Sequence, residues 1–125
     1  MIEALFNQPN YLAAKKSLDA VALRQEAIAN NLANLETPGY QRVDLAPQFE
    51  QELERATTAG DLRALSALSP SLMPDASSPV GKDGNTVHLE AELMKMNQNV
   101  MTHALETQLI SGSLAKMRMA ITGHS

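Results

Sequence analysis

His88 and Glu92 stand four residues apart in "HLEAE", a spacing that places both on one helical face and can hold a divalent metal when a third ligand is close. No third ligand lies near them in the sequence. His103 falls within an apolar helical pattern, where an interhelical hydrogen bond is its simplest role. Glu36, in "ETPG", is a lone carboxylate at a helix end with no acid or base beside it. The chain has no G-x-G-x-x-G, Walker-type or H-E-x-x-H string and no serine placed as a nucleophile elbow. Its glycines, at 39, 60, 81, 84, 112 and 123, are too dispersed to cradle a phosphate. No enzymatic activity is expected, and no catalytic, cofactor-binding or metal residue.

The remaining polar cluster is of another kind. Asn30, Asn31 and Asn34 sit beside Ile28, Leu32 and Leu35 just before Thr37-Pro38-Gly39. Asparagine is a poor helix former, so three in five positions cost about 1–2 kcal/mol relative to alanine. Each brings two donors and an acceptor, which suits hydrogen bonding across packed helices at a fixed height. Pro38 drives Thr37 out of helical geometry, and Gly39 permits the positive φ of a type II turn. The pattern predicts a helix-end junction at which the chain reverses.

Two long elements must position that junction. Tyr11, Ala14, Leu18, Val21, Gln25, Ile28, Leu32 and Leu35 follow at steps of three or four, predicting a helix of about 27 residues opened by Pro9 after Asn7 or Gln8. Leu89, Leu93, Met96, Val100, His103, Thr107, Ile110, Leu114, Met117 and Ile121 keep the same alternation, predicting a second helix of about 33 residues. Asn85 or Thr86 is its expected cap, Glu90 and Glu92 suit its start, Lys116 and Arg118 its end, and Gly123 its stop. The expected fold is all-α, with the two end helices packed as an antiparallel coiled-coil-like pair. The second helix also carries Met94, Met101, Leu105, Leu109 and Met119 on neighbouring faces, a wider apolar arc than one partner covers. Leaving such side chains in water forgoes roughly 1.5–3 kcal/mol each, so contacts between subunits are expected. The residues assigned to them are Val21, Ile28, Leu32, Leu35, Leu93, Met96, Val100, Met101, Leu105, Leu109, Ile110, Leu114 and Met117.

Three regions result: residues 1–42 with the first helix and the turn, 43–85 as a middle segment, and 86–125 with the second helix. In the middle, "PQFEQELERA" predicts a short helix with Phe49, Leu53 and Ala56 on one face. Residues 60–85, rich in Ser, Pro, Gly and Asp, read as an irregular linker, mobile alone and ordered against a partner.

Composition narrows the function class. A formal charge of −4 and no basic block give no attraction to phosphate backbones or anionic lipid, so nucleic acid is not an expected partner. Aromatics make up 3% of the 125 residues, which favours aliphatic helix seams over a sheet core. The absence of cysteine suits a reducing or an oxidising compartment alike. Glu3 stands where a cleaved signal needs basic residues, and no run of about 18 apolar residues occurs. The expectation is a protein that is cytoplasmic or leaves the cell without a cleaved signal.

"NNLANLETPGYQR", with Asn30, Asn31, Asn34, Thr37, Pro38, Gly39 and Tyr40, resembles the signature of the axial proteins of the bacterial flagellum, the rod, hook and hook-associated family. The short length and both end segments are similar to its proximal rod members, with a departure at His88, where an acidic residue is frequent. The resemblance implies a structural component of the basal-body rod, exported unfolded by the flagellar type III apparatus and assembled helically in the periplasm. There it would enclose the export channel and transmit torque. The implied partners are further copies of itself, the rod proteins FlgC, FlgF and FlgG, the basal-body protein FliE, and the export gate or MS ring. No small-molecule substrate is implied. The competing expectation is a small all-helical cytoplasmic adaptor or export chaperone that forms a closed dimer.

Overall fold

The computed structural model describes residues 8–123, in the order α1 (Gln8–Ala33), β1 (Val43–Leu45), α2 (Gln48–Ala59), α3 (Leu62–Ala67), β2 (Leu72–Pro74) and α4 (Leu89–Thr122). The fold is all-α, dominated by the packing of α1 on α4. Asn31 meets Glu92, Val21 meets Asn99, and Ala14 lines one groove with Ile110. Positions rising along α4 thus meet positions falling along α1, so the pair is antiparallel. Among the described residues no helix is long and apolar enough to cross a membrane.

α1 buries Ala14, Ala20, Val21, Ala27 and Ile28. The expected seam positions Ala14, Val21 and Ile28 are therefore inside, while alanines widen the buried face and allow close approach. The expected cap Asn7 lies outside the described residues, and Gln8 is already helical.

The middle segment closes one flank. Phe49 and Ala56 of α2 are buried, with Phe49 packed on Ala20 and Leu45 and bordered by Leu23, Leu53, Leu68 and Leu72. Gly60 ends α2 in the left-handed region, and Asp61 starts α3 by accepting from the Ala64 N–H. Lys16 Nζ of α1 donates to the carbonyls of Ser66 (3.2 Å) and Leu68 (2.8 Å), satisfying acceptors at the end of α3. β1 and β2 pair antiparallel with Val43 opposite Pro74 and Leu45 opposite Leu72. The Ala46 N–H to Ser71 carbonyl and Asp75 N–H to Arg42 carbonyl bonds extend the pairing at both ends.

Residues 60–85 are accordingly not an unstructured linker. They contain α3 and the strand β2 paired to β1, and at their end Asn85 bonds to residues about 50 positions earlier, which no local periodicity announces. A second correction concerns α4, whose N-cap is His88 without a side-chain cap bond, rather than Asn85 or Thr86. A third concerns its packed face. Glu92 and Asn99 are buried, whereas Leu89, Leu93, Val100 and Leu114 of the expected seam are exposed. The helix is rolled so that polar positions face α1.

Candidate functional site

The turn after α1 is built as its residues dictate. Tyr40 N–H donates to the Thr37 carbonyl (3.2 Å) and Gly39 has φ 73°, the bond and the positive φ that a type II turn requires. Asn31 is fully buried and exchanges two bonds with the backbone of Val43: its Nδ2 donates to the carbonyl (2.8 Å) and its Oδ1 accepts from the N–H (2.9 Å). The same amide donates to Glu92 Oε2 on α4 (3.3 Å), and the Tyr40 hydroxyl donates to its Oδ1 (3.3 Å). Asn31 alone among the three asparagines bridges elements. Asn34 Nδ2 bonds back to the Asn30 carbonyl (2.9 Å) and its Oδ1 accepts from Thr37 Oγ1, while Asn30 is exposed. The expectation that all three act across helices is corrected to one.

The loop between β2 and α4 supplies the rest. Asn85 Nδ2 donates to the carbonyls of Asn34 (2.8 Å), Leu35 (3.1 Å) and Thr37 (2.7 Å), so it serves the end of α1 rather than the start of α4. Its Oδ1 accepts from the Val87 N–H. Gly39 N–H donates to the Asp83 carbonyl and Thr86 N–H to the Tyr40 carbonyl, both at 3.0 Å.

Arg42 lies at the centre, with its side chain 3% exposed. Its Nε donates to Glu92 Oε1 (2.6 Å), Nη1 pairs with Asp75, and Nη2 donates to Asp44 Oδ2 (3.1 Å). Its backbone N–H donates to Thr86 Oγ1 (2.9 Å). Arg24 pairs with Asp44 and Glu50, and Lys95 reaches Asp44, so three cations answer the carboxylates around the cluster. Burial alone would lower the Arg42 pKa, but hydrogen bonding and charge from Glu92, with the bonds from Asp44 and Asp75, hold it above its ordinary value. Burial works to raise Asp44, and the Leu45 N–H, Arg24 and Arg42 overcome it to hold that carboxyl below its usual range. Ser77 lowers Asp75 most, with Arg42 adding to it against burial. Each buried charge has partners, so the cluster locks α1, β1, the loop and α4 at one height without an orphaned ion. Arg42, Asp44, Asp75, Asn85 and Asn99 were absent from the expected site, and Glu92 was expected only as a helix-start or metal-spaced residue. The single advance signal was Arg42 within the recognised motif stretch.

The expected subunit-contact residues divide in two. Val21 and Ile28 are covered by the chain itself, which corrects their assignment. Leu32, Leu35, Met96, Ile110 and Met117 are half-buried, while Leu93, Val100, Met101, Leu105, Leu109 and Leu114 are exposed. Around α4 the exposed positions form two apolar stripes, one through Leu93, Val100 and Leu114, the other through Met94, Met101 and Leu105. An open groove of about 580 Å³ runs between α1, α2 and the later half of α4, lined by Tyr11, Ala14, Leu53, Leu109 and Ile110. His88 Nε2 lies 2.9 Å from the Pro79 carbonyl, and Glu92 is committed to Arg42, so the metal spacing is used for other bonds.

The family described as flagella basal body rod protein matches residues 13–41, which take in most of α1 and the turn. The flagellar basal body rod protein FlgB of Borrelia hermsii is 33% identical over 114 residues, covering 77% of this chain and 83% of that protein. FlgB of Borreliella burgdorferi is 30% identical over 110 residues, covering 74% and 80%. FlgB of Escherichia coli K12 is 29% identical over 118 residues, covering 82% and 86%. With the first of these relatives 33% identical over 77% of this chain, the chain belongs to the flagellar basal-body rod protein family.

Proposed function

We propose that this chain is a subunit of the proximal rod that packs through the outward faces of α4 against copies of itself and neighbouring rod proteins. The family is structural rather than catalytic. The observation that carries the reading is the exposed apolar surface of α4: Val100, Met101, Leu105 and Leu109 are each more than half exposed on a helix of 34 residues. A helical assembly uses heterologous contacts, so one subunit buries different surfaces on different neighbours. FlgC, FlgF and FlgG are the proposed rod neighbours, with FliE and the MS ring or export gate at the base. The assembled rod crosses the periplasm, transmits torque and surrounds the export channel, after export without signal cleavage.

The test is Leu105→Asp. The position is 58% exposed in the isolated chain, so folding and secretion are expected to persist, while a carboxylate desolvated at a subunit contact blocks incorporation. Motility, secretion blots and the subunit content of purified basal bodies read the outcome. Normal swimming with full incorporation overturns the assignment of this face. A stable closed dimer by light scattering at micromolar concentration supports the adaptor reading instead.

A further inference from the structure

The inner seam of α4 is polar at a period of seven residues, through Glu92, Asn99, Glu106 and Ser113, and three of these four directly precede an apolar residue, Leu93, Val100 and Leu114. Adjacent positions on a helix are about 100° apart, so a roll of about 100° would exchange the two faces against α1. Met96, Ile110 and Met117 lie between the faces and would stay in contact through that roll. Apolar burial by itself favours the rolled arrangement, with Leu93, Val100 and Leu114 inside. The structure shows the opposite choice.

Two buried residues oppose the roll. Glu92 is 0% exposed, bonded to Arg42 and to Asn31. Asn99 is 4% exposed, and its Nδ2 donates to the Val21 carbonyl in the middle of α1 (3.0 Å) and to Gln25 Oε1 (3.2 Å). They sit one heptad apart and reach α1 at two heights, so both bonds hold only at one rotation of α4 about its axis. We infer that Asn99 and Glu92 are positioning residues that hold α4 with its Leu93, Val100 and Leu114 stripe outward, against the roll that would bury it in the same chain. They act as rotational pins, and they keep an adhesive face available at the expense of the subunit's own core.

The roll can be read directly because the chain has no cysteine, so single Ser113→Cys and Leu114→Cys variants of the full chain each carry a unique thiol. Ser113 is half-buried and Leu114 is 43% exposed, and maleimide is expected to react faster at position 114. Adding Asn99→Ala, which removes both bonds without placing a large apolar side chain on the inner face, is expected to shift the ratio of the two rates by about tenfold, protecting position 114 and exposing position 113. An unchanged ratio overturns the inference. Acceleration at both positions signals detachment of the helix, and the Asn99→Leu, Val100→Ser pair then decides: with the apolar residue on the inner position alone, the original order must return. Failure to return it overturns the inference, because polarity across the two positions would not set the roll. The consequence for assembly rests on the function proposed above. A reversed labelling order with normal rods leaves the pins in place and removes the stripe from the assembly surface.

Discussion

Asn31 and Val43 exchange two hydrogen bonds, the side-chain amide of the helix residue pairing with the backbone N–H and carbonyl of the strand residue at 2.9 and 2.8 Å. A helix end and a strand are thereby joined as two strands would be. The same asparagine also touches Glu92 of α4, so one buried amide records the relative height of three elements.

Replacing Asn31 by alanine leaves the Val43 backbone pair unsatisfied in a half-buried site, an expected loss of about 2–3 kcal/mol. Asn34→Ala removes a local bond to Asn30 and raises helix propensity, so its effect is expected within about 0.5 kcal/mol. Urea midpoints of the two variants measure the difference. Equal losses would show that the cross-element bonds of Asn31 carry no special weight.

Asn85 offers a sharper substitution, since Asp is nearly isosteric but presents an acceptor to three carbonyls. Asn85→Asp is expected to cost about 2–4 kcal/mol, from lost donors and a partly buried charge facing the negative end of α1. Amide hydrogen exchange in the last turn of α1 should accelerate more than in its middle. Uniform acceleration would mean that Asn85 supports the loop and not the helix end.

These residues explain what could be read from the sequence and what could not. The long helices, the turn at Pro38-Gly39, the short helix with Phe49 and Ala56 inside, and Gly123 as the final cap rest on local rules, and the structure contains them, although α1 ends at Ala33, before the expected seam position Leu35. The role of Asn85 depends on a partner 51 positions earlier, for which periodicity carries no information. The roll of α4 was misread for a physical reason: the pattern treats apolar positions as inner, whereas here Glu92 and Asn99 take the inner seam through bonds to α1. Arg42 was passed over because one arginine carries no spacing, and its three carboxylates come from separate elements.

Acid should loosen the cluster in a defined direction. Asp44 and Asp75 are held below their ordinary pKa, so the unfolded chain binds more protons than the native one as pH falls toward about 4. Their contribution is complete above that value and is lost as pH drops through the lowered native values. Arg42, held above its ordinary value, keeps its contribution throughout the acid range. Urea midpoints measured from about pH 6 to about pH 3 should decline, and less steeply in Asp75→Asn. A variant curve parallel to that of the parent chain would remove Asp75 from the linkage.

The turn itself separates backbone strain from packing. Gly39 has φ 73° and an added Cβ there meets nothing within 4 Å, so Gly39→Val acts through the left-handed backbone alone. That strain costs about 1–2 kcal/mol for an ordinary side chain and more for a β-branched one. Gly84, at φ 82°, would bring a Cβ to 3.4 Å from the Gly39 Cα, an ordinary contact, so Gly84→Ala is expected to cost the strain term only. Pro38→Ala keeps the turn and frees mainly the unfolded chain, with an expected loss of about 0.4–1 kcal/mol. The expected order of destabilisation is Gly39→Val, then Gly84→Ala, then Pro38→Ala. Because Gly39 N–H also holds the Asp83 carbonyl, Gly39→Val should expose the Gly39 and Thr86 amides to exchange together. A loss confined to the Gly39 amide would show that the turn and the 83–86 loop open independently, and that the junction is not one cooperative unit.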